Sequence, residues 1–411
     1  MIQYEQFKLE NGLRVFFHQD KSTPIVSVNT LYDVGSKDEN PNRTGFAHLF
    51  EHLMFGGSVN IPSYDEPLQR VGGQNNAFTS VDMTNYYFTV PAANVETGLW
   101  LESDRMLSLA FTDKSLEVQR NVVVEEFKQN YLNQPYGDVW LLLRPLAYKN
   151  HPYRWATIGE KVEHIQDASM EEVRAFFKKH YAPQNAILSI AGNLELEDVK
   201  RLTEKWFGSI PAGNRYERNL PQEPRQTEPR SLTVEREVPQ EAIYKAYHMC
   251  DRLDDNYYVA DLISDVLSRG NSSRFYKELV KTKKLFSSVD AYISGDMEPG
   301  LFVISGKLNP EITMQQAEEG IDSCVQELKE TLVSERELEK LINKVETTQE
   351  FSLLDISNKA LSLAYYELIG DIDRVNTEMD YYNKVTPEKI REYARELFQV
   401  NNSSTLYYHK K

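Results

Sequence analysis

The sequence has only two cysteines, Cys250 and Cys324, among its 411 residues. Two distant cysteines are too few for a disulfide framework, and they lack the close spacing of a Cys-rich structural zinc site. The sequence also has no run of about 18 apolar residues, the length that a membrane-spanning helix needs. These absences exclude a disulfide-stapled domain, a Cys-rich zinc module and a helical membrane protein.

Positive charge is scarce, with 46 Lys and Arg against 62 Asp and Glu, a formal net charge of −16. Nucleic-acid-binding proteins carry basic stripes, so no nucleic-acid partner is expected. The acidic excess would attract basic peptides, although it also serves solubility alone. Residues 1–8 show no basic segment leading into an apolar one, so no secretory signal is visible and we expect a cytoplasmic location.

The chain is longer than a single hydrophobic core usually supports, so at least two domains are expected. Between Pro211 and Val234, prolines stand among charged and amide side chains with few large apolar residues, which is typical of a linker. We therefore predict an N-terminal domain at 1–210, a linker at 211–234 and a C-terminal domain at 235–411.

The most informative stretch is Gly45–Gly57, in which His48, Glu51 and His52 stand at helical positions i, i+3 and i+4. These positions share one face of a helix, whereas the residues between them are apolar. A buried face with two imidazoles and a carboxylate is destabilising unless something binds it. Zinc is the simplest candidate, with the histidines as ligands and Glu51 as general base. The order H-x-x-E-H is an inverted-zincin signature.

A single histidine on an apolar helix face is usually a core residue, so a third ligand is needed to strengthen the metal hypothesis. It should be acidic or histidine and lie on a neighbouring helix. The segment Arg120-Asn-Val-Val-Val-Glu-Glu126 places two carboxylates in an unusually apolar helix. Both Glu125 and Glu126 are candidates on this ground.

The second half of the chain repeats the first. The segment Phe46–Leu53 aligns with Val259–Val266, in which Asp261, Ser264 and Asp265 replace the two histidines and the glutamate. The predicted fold class is therefore α+β, with two duplicated domains that each pack helices on an antiparallel-dominated sheet. In this interpretation the second copy has lost its metal ligands.

Several ordered motifs together resemble the pitrilysin and mitochondrial processing peptidase family of inverted-zincin metallopeptidases, in its short bacterial two-domain form. The resemblance covers nearly the whole chain. The shared motifs are Leu9-Glu-Asn-Gly-Leu13, His48-Leu-Phe-Glu-His52, Gly72-Gly73, Asn76-Ala-Phe-Thr79, Arg120-Asn-Val-Val-Val-Glu-Glu126, His151-Pro-Tyr153, Gly159 and Tyr181 through Asn193.

The resemblance implies a role for each matched position. His48, His52 and Glu126 match the zinc ligands for one ion per chain, and Glu51 matches the general base. Counting along the motif from Arg120 selects Glu126 over Glu125. Asn76 and Ala77 match the edge strand that takes the substrate backbone as an added β-strand.

Two departures from the family pattern matter. Gln119 stands where the family often has a glutamate beside the ligands, so it can donate a hydrogen bond but supplies no charge. Val280 and Ser287 occupy the positions of an Arg and a Tyr that bind substrate and oxyanion in active single-chain members. The family's short members pair as half-shells around a chamber. We therefore predict that this chain is the metal-bearing subunit of a heterodimer with a homologous Arg/Tyr subunit, a homodimer being the alternative.

The leading hypothesis is a zinc-dependent endopeptidase that hydrolyses short unfolded peptides. The alternative is a non-catalytic scaffold or peptide-binding subunit of the same family, although such members typically lose a ligand or the glutamate. A purely structural metal is disfavoured because structural zinc sites are four-ligand and Cys-rich. Cobalt and manganese fit the same ligand set, so the sequence does not select the native metal.

Overall fold

The computed structural model describes residues 1–411 and contains two compact units. The first unit consists of Met1–Gln129, Trp155–Pro221 and Glu350–Asn376. The second consists of Asn130–Arg154, Gln222–Gln349 and Thr377–Lys411. The compact units are thus discontinuous, whereas the boundaries predicted from the sequence describe consecutive segments.

Each unit is built on one sheet. The strands are β1 Glu5–Lys8, β2 Arg14–Gln19, β3 Ile25–Tyr32, β4 Gln74–Thr79, β5 Thr84–Pro91, β6 Ala186–Gly192, β7 Arg230–Arg236, β8 Ala242–His248, β9 Phe286–Ile293, β10 Leu301–Leu308 and β11 Ser403–Lys410. The first sheet has the order β1-β2-β6-β3-β5-β4, and the second has the order β7-β11-β8-β10-β9.

The second sheet repeats the topology of the first but has no counterpart of β1. Strand β2 pairs with β6 in parallel, as β7 pairs with β11, and every other pairing is antiparallel. Strands β4 and β9 occupy equivalent sheet edges. The predicted fold class, a duplicated α+β domain with antiparallel-dominated sheets, is confirmed.

Fourteen α-helices accompany these strands. They are α1 Phe46–Leu53, α2 Asp65–Arg70, α3 Val95–Leu107, α4 Asp113–Phe127, α5 Val139–Ala147, α6 Val162–Gln166, α7 Met170–His180, α8 Leu196–Phe207, α9 Asn256–Ser268, α10 Met314–Glu330, α11 Glu335–Ser352, α12 Ile356–Leu368, α13 Arg374–Asn383 and α14 Pro387–Leu397. None of them has the length and apolar character needed to cross a bilayer.

Helices α5 and α12 are exchanged between the halves of the sequence. Helix α12 packs on β2, β3 and β6 of the first sheet, where Ile356 and Ala360 join Ala191 in a buried apolar cluster. Helix α5 packs on β7, β8 and β11 of the second sheet. Each sheet thus buries an apolar face under a helix from the other half of the sequence, which is why the compact units are discontinuous.

The predicted linker is bound along its length. Arg218 forms ion pairs with Asp33 and Asp38 in the first unit, at 2.7 Å to each carboxylate. Within the second unit, the Glu223 carboxylate accepts hydrogen bonds from the backbone N–H groups of residues 149–151. Polar side chains of the predicted linker therefore attach the segment to the units.

Candidate metal centre

Helix α1 begins at a glycine and is capped by a residue of the preceding loop. Gly45 has φ +89°, a left-handed conformation that favours glycine, and it has no side chain to cap the helix. Instead, the two oxygens of the buried Glu39 carboxyl group accept hydrogen bonds from the N–H groups of Gly45 and Ala47, both at 2.8 Å. Burial raises the pKa of Glu39 to about 8, and the two backbone hydrogen bonds oppose that rise. The carboxylate thus fixes the start of the helix that carries the H-x-x-E-H residues.

The apolar face of α1 is anchored by aromatic rings. The ring of Phe50 lies 4.9 Å from that of Phe176 and 5.1 Å from that of Tyr181, measured between centroids. The residues between the polar positions are buried, whereas His48, Glu51 and His52 are half-buried. Packing of one face therefore directs the other toward β4 and α4, the elements against which α1 lies.

The three predicted ligands come together. The Nε2 atom of His52 lies 3.4 Å from Oε2 of Glu126, and Nε2 of His48 lies 3.7 Å from the same oxygen. One ligand atom from each residue lies within 4.8 Å of the other two. Ligands about 2.0–2.2 Å from a tetrahedral zinc ion are separated by about 3.3–3.6 Å, so the donor set and its spacing fit a zinc ion.

The adjacent glutamates of α4 point to different partners. Glu125 is exposed and forms an ion pair with Lys128 at 2.7 Å. Glu126, the next residue, faces the histidines. The structure therefore separates two carboxylates between which the local sequence pattern could not choose.

The electrostatics of His48 favour metal binding. Burial lowers its pKa to about 4, against an opposing effect of the Glu126 carboxylate. The imidazole is therefore neutral near pH 7, which is the form that coordinates metal. Its buried Nδ1 atom has no hydrogen-bond partner, so the ring lacks the outer hydrogen bond that usually orients a histidine ligand.

Glu51 is held by a residue to which the sequence assigned no role. The hydroxyl of Thr79, the last residue of β4, donates a hydrogen bond of 2.6 Å to Oε2 of Glu51. Burial raises the pKa of Glu51, and this hydrogen bond lowers it. Thr79 lies in the Asn76-Ala-Phe-Thr79 motif, which was the available signal, but a motif does not show which side chain its hydroxyl reaches.

The predicted peptide-binding residues lie on an open strand. Asn76 and Ala77 belong to β4, the edge strand of the first sheet, which pairs only with β5. The exposed Asn76 side chain accepts the N–H of Ala77 through Oδ1 at 2.8 Å. This edge offers backbone groups to an added strand. In the free protein, one of these groups, the N–H of Ala77, is bonded to the Asn76 side chain.

Gln119 and Arg120 of α4 contact other parts of the first unit. No hydrogen bond joins Gln119 to a predicted ligand, and its amide nitrogen lies beside Gly56, just after α1. Arg120 donates to the carbonyls of Gln166 and Ala168, at 3.2 and 2.9 Å. The arginine of the motif therefore fixes α4 relative to the end of α6.

The positions expected to carry an Arg and a Tyr lie in the second unit. Val280 is half-buried against that unit's apolar core. Ser287 is exposed on β9, and its hydroxyl donates to Gln240 and to the carbonyl of Lys307 at 3.2 Å. Neither side chain supplies a guanidinium or phenol group.

Sequence models of known protein families match both halves of the chain. Residues 14–159 match the sequence model described as "Insulinase (Peptidase family M16)", and residues 167–345 match "Peptidase M16 inactive domain". The chain belongs to peptidase family M16. This confirms the predicted pitrilysin-type family in its short two-domain form.

Relatives of this M16 chain include proteins named as zinc proteases. It is 29% identical to "Zinc protease PqqE" of Helicobacter pylori over 98% of this chain and 92% of that protein. It is 27% identical to "Uncharacterized zinc protease YmxG" of Bacillus subtilis over 96% of this chain and 95% of that protein.

Solved structures share the fold over nearly the full length of this chain. A protease from Helicobacter pylori has a TM-score of 0.93 at 28% identity, over 99% of this chain and all of that one. The periplasmic protease PqqL from Escherichia coli has a TM-score of 0.82 at 17% identity, over 98% of this chain and 47% of that one. The M16 chain thus has the fold of about half of PqqL.

Proposed function

We propose that this M16 chain is a zinc-dependent endopeptidase acting on short unfolded peptides. The observation that carries the proposal is the convergence of His48, His52 and Glu126 beside Glu51, on packed helices of one compact unit. The names of the relatives support zinc and proteolysis.

The chemistry follows from the donor set. A zinc ion at the three ligands would polarise the scissile carbonyl and lower the pKa of water. Glu51 takes a proton from the attacking water and later passes it to the leaving amine. The edge of β4, at Asn76 and Ala77, binds the peptide as an added strand through backbone hydrogen bonds, which accounts for tolerance of many peptide sequences.

The chain acts, in this proposal, as the metal-bearing subunit of a pair. Val280 and Ser287 provide no guanidinium or phenol to stabilise an oxyanion. PqqL, which has about twice this length, indicates that the fold also occurs as half of a longer chain. A homologous subunit with the missing Arg and Tyr would complete the site, and a homodimer is the alternative assembly.

Cleavage of a quenched fluorogenic peptide library by the purified chain, alone and mixed with a homologous partner subunit, tests the function, with bound metal and molecular mass measured on the same sample. Chelation should abolish cleavage, and Glu51→Gln should lower kcat by at least about a hundredfold while zinc stays bound. A chain that holds no metal would contradict the proposed site. A zinc-loaded chain that binds peptides but cleaves none with any homologous partner would favour the scaffold alternative.

A further inference from the structure

We infer that Thr79 is a positioning residue, which holds the Glu51 carboxylate in register with a peptide bound along β4. The inference rests on the proposed peptidase function and concerns how the base is oriented. Its geometric basis is the 2.6 Å hydrogen bond from the Thr79 hydroxyl to Oε2 of Glu51.

Glu51 needs an external group to fix its carboxylate. It has three side-chain torsions, and its position on α1 fixes only the backbone end. A general base must lie within about 2.6–3.2 Å of the proton that it removes, or act through one water. The Thr79 hydroxyl holds Oε2 of this carboxylate, and no hydrogen bond engages Oε1, which therefore stays available to accept a proton.

The same strand carries the base's partner and the proposed peptide-binding edge. Ala77 and Thr79 are two residues apart on β4, so their side chains share one face of the strand at a separation of about 6–7 Å. Thr79 pairs with Thr84 of β5, which is fully buried and donates to the carbonyl of Val34 at 2.9 Å. The end of β4 is therefore anchored in the core.

This arrangement has a consequence for specificity. A peptide paired with β4 is placed by its backbone, and Glu51 is placed by a side chain of that same strand. The distance from base to scissile bond then depends on strand register and is independent of the peptide's side chains. One six-residue strand thus couples binding to catalysis.

Two substitutions separate this role from a structural one. Threonine suits a strand because it is β-branched, and valine keeps that shape while removing the hydroxyl. Serine removes the methyl group and keeps the hydroxyl. A purely structural role predicts that Thr79→Val is harmless and Thr79→Ser is the worse change, which is the reverse of our expectation.

The kinetic test uses the full chain loaded with zinc, together with a homologous partner subunit if the chain alone is inactive. We expect Thr79→Val to lower kcat about tenfold or more with KM within about twofold, and Thr79→Ser to stay within about threefold of wild type. Thr89→Val, the same change on the adjacent strand β5, is the matched control and should leave kcat unchanged. A Thr79→Val enzyme with wild-type kcat, or a serine variant as slow as valine, would overturn the inference.

Crystal structures of the zinc-loaded variants provide a readout that needs no turnover. Glu51 should adopt one rotamer in wild type and Thr79→Ser, and another rotamer or several in Thr79→Val. If the zinc-loaded wild-type chain cleaves nothing even with a homologous partner subunit, the proposed peptidase function fails, and the Glu51 rotamer still decides this inference. An unchanged carboxylate in Thr79→Val would contradict it in either case.

Discussion

The two units solve one structural problem in different ways. Helix α1 follows β3 and carries His48, Glu51 and His52, whereas helix α9 follows β8 and carries Asp261, Ser264 and Asp265 at the aligned positions. In the first unit the polar face converges with Glu126 on a candidate cation site. In the second, the polar face is satisfied by other side chains of the protein.

The second unit supplies its own cation and hydrogen-bond donor. The guanidinium of Arg269 lies 3.1 Å from the Asp265 carboxylate, and the Tyr382 hydroxyl donates to Asp261 at 2.7 Å. A buried carboxylate left without a partner is strongly unfavourable. The scaffold thus accommodates a polar helix face in two ways: by clustering candidate metal-binding side chains in the first unit, and by pairing the charges with other side chains in the second.

We expect the largest effect from removing a proposed metal ligand of the first unit. Glu126→Gln should lower zinc affinity by more than the roughly 10–100-fold that losing an outer hydrogen bond costs, because a ligand itself is lost. Activity should fall with it. Zinc content after dialysis against a graded chelator measures the effect, and Glu125→Gln is the matched control. Equal zinc loss in both variants would mean that Glu126 is not a ligand.

That test bears on what the sequence could and could not predict. His48, Glu51 and His52 were found because their spacing is local and helical periodicity fixes their common face. The choice of Glu126 over Glu125 depended on the family resemblance, since both carboxylates share one short helical segment. In the structure a single helical step, about 100° of rotation, separates Glu126, which faces the two histidines, from Glu125 in its ion pair with Lys128.

The features missed by the sequence depend on tertiary contacts. The apolar face of α12 indicates burial but not which sheet it covers, so the exchange with α5 could not be predicted. Thr79 contacts α1 from a strand 28 residues beyond Glu51, and Glu39 contacts it from the preceding loop, six residues before Gly45. No local pattern states that these residues meet that helix.

The second prediction concerns the ion pair between Arg269 and Asp265 in the second unit. Arg269→Ala leaves Asp261 and Asp265 without that cation, and we expect a loss of about 2 kcal/mol in the free energy of unfolding, moderated because Arg269 is partly exposed. Adding Asp265→Asn should recover part of the loss, because the unpaired charge is then removed. Urea denaturation of the four variants of the double-mutant cycle measures the coupling. Zinc content should not change, and full stability in Arg269→Ala would show that the pair contributes nothing.

Helices α1 and α9 also differ in how their first turns are capped. Residues just before α9 supply local caps, since Asp254 accepts the N–H of Asn256 at 2.8 Å. Helix α1 depends instead on Glu39, six residues before Gly45. Glu39→Gln should cost about 1–2 kcal/mol of stability, because an amide NH₂ would replace one of the two accepting oxygens. Thermal denaturation measures the loss, and Glu10→Gln, an exposed change in the same unit, is the control.

The smallest effect concerns pH. Burial, with a further contribution from Asp261, raises the pKa of Asp265 to about 6, and Arg269 opposes the rise. In the unfolded chain the group titrates near its ordinary value of about 3.9. Between about pH 4 and 6 the folded state therefore binds more protons than the unfolded state, so this group's contribution to the free energy of unfolding falls as pH rises through that window.

Asp265→Asn should remove this contribution. The stability of wild type relative to the variant should decline by about 1 kcal/mol from pH 4 to pH 6 and stay level above it, an amount reduced by solvent screening of the partly exposed pair. Urea denaturation at several pH values measures the difference, with the exposed Asp255→Asn as control. Parallel profiles for wild type and Asp265→Asn would mean that Arg269 holds the carboxylate ionised throughout. Arg269 would then be a full replacement for the external ion, and the contrast between the units would lie only in whether the cation is covalently attached.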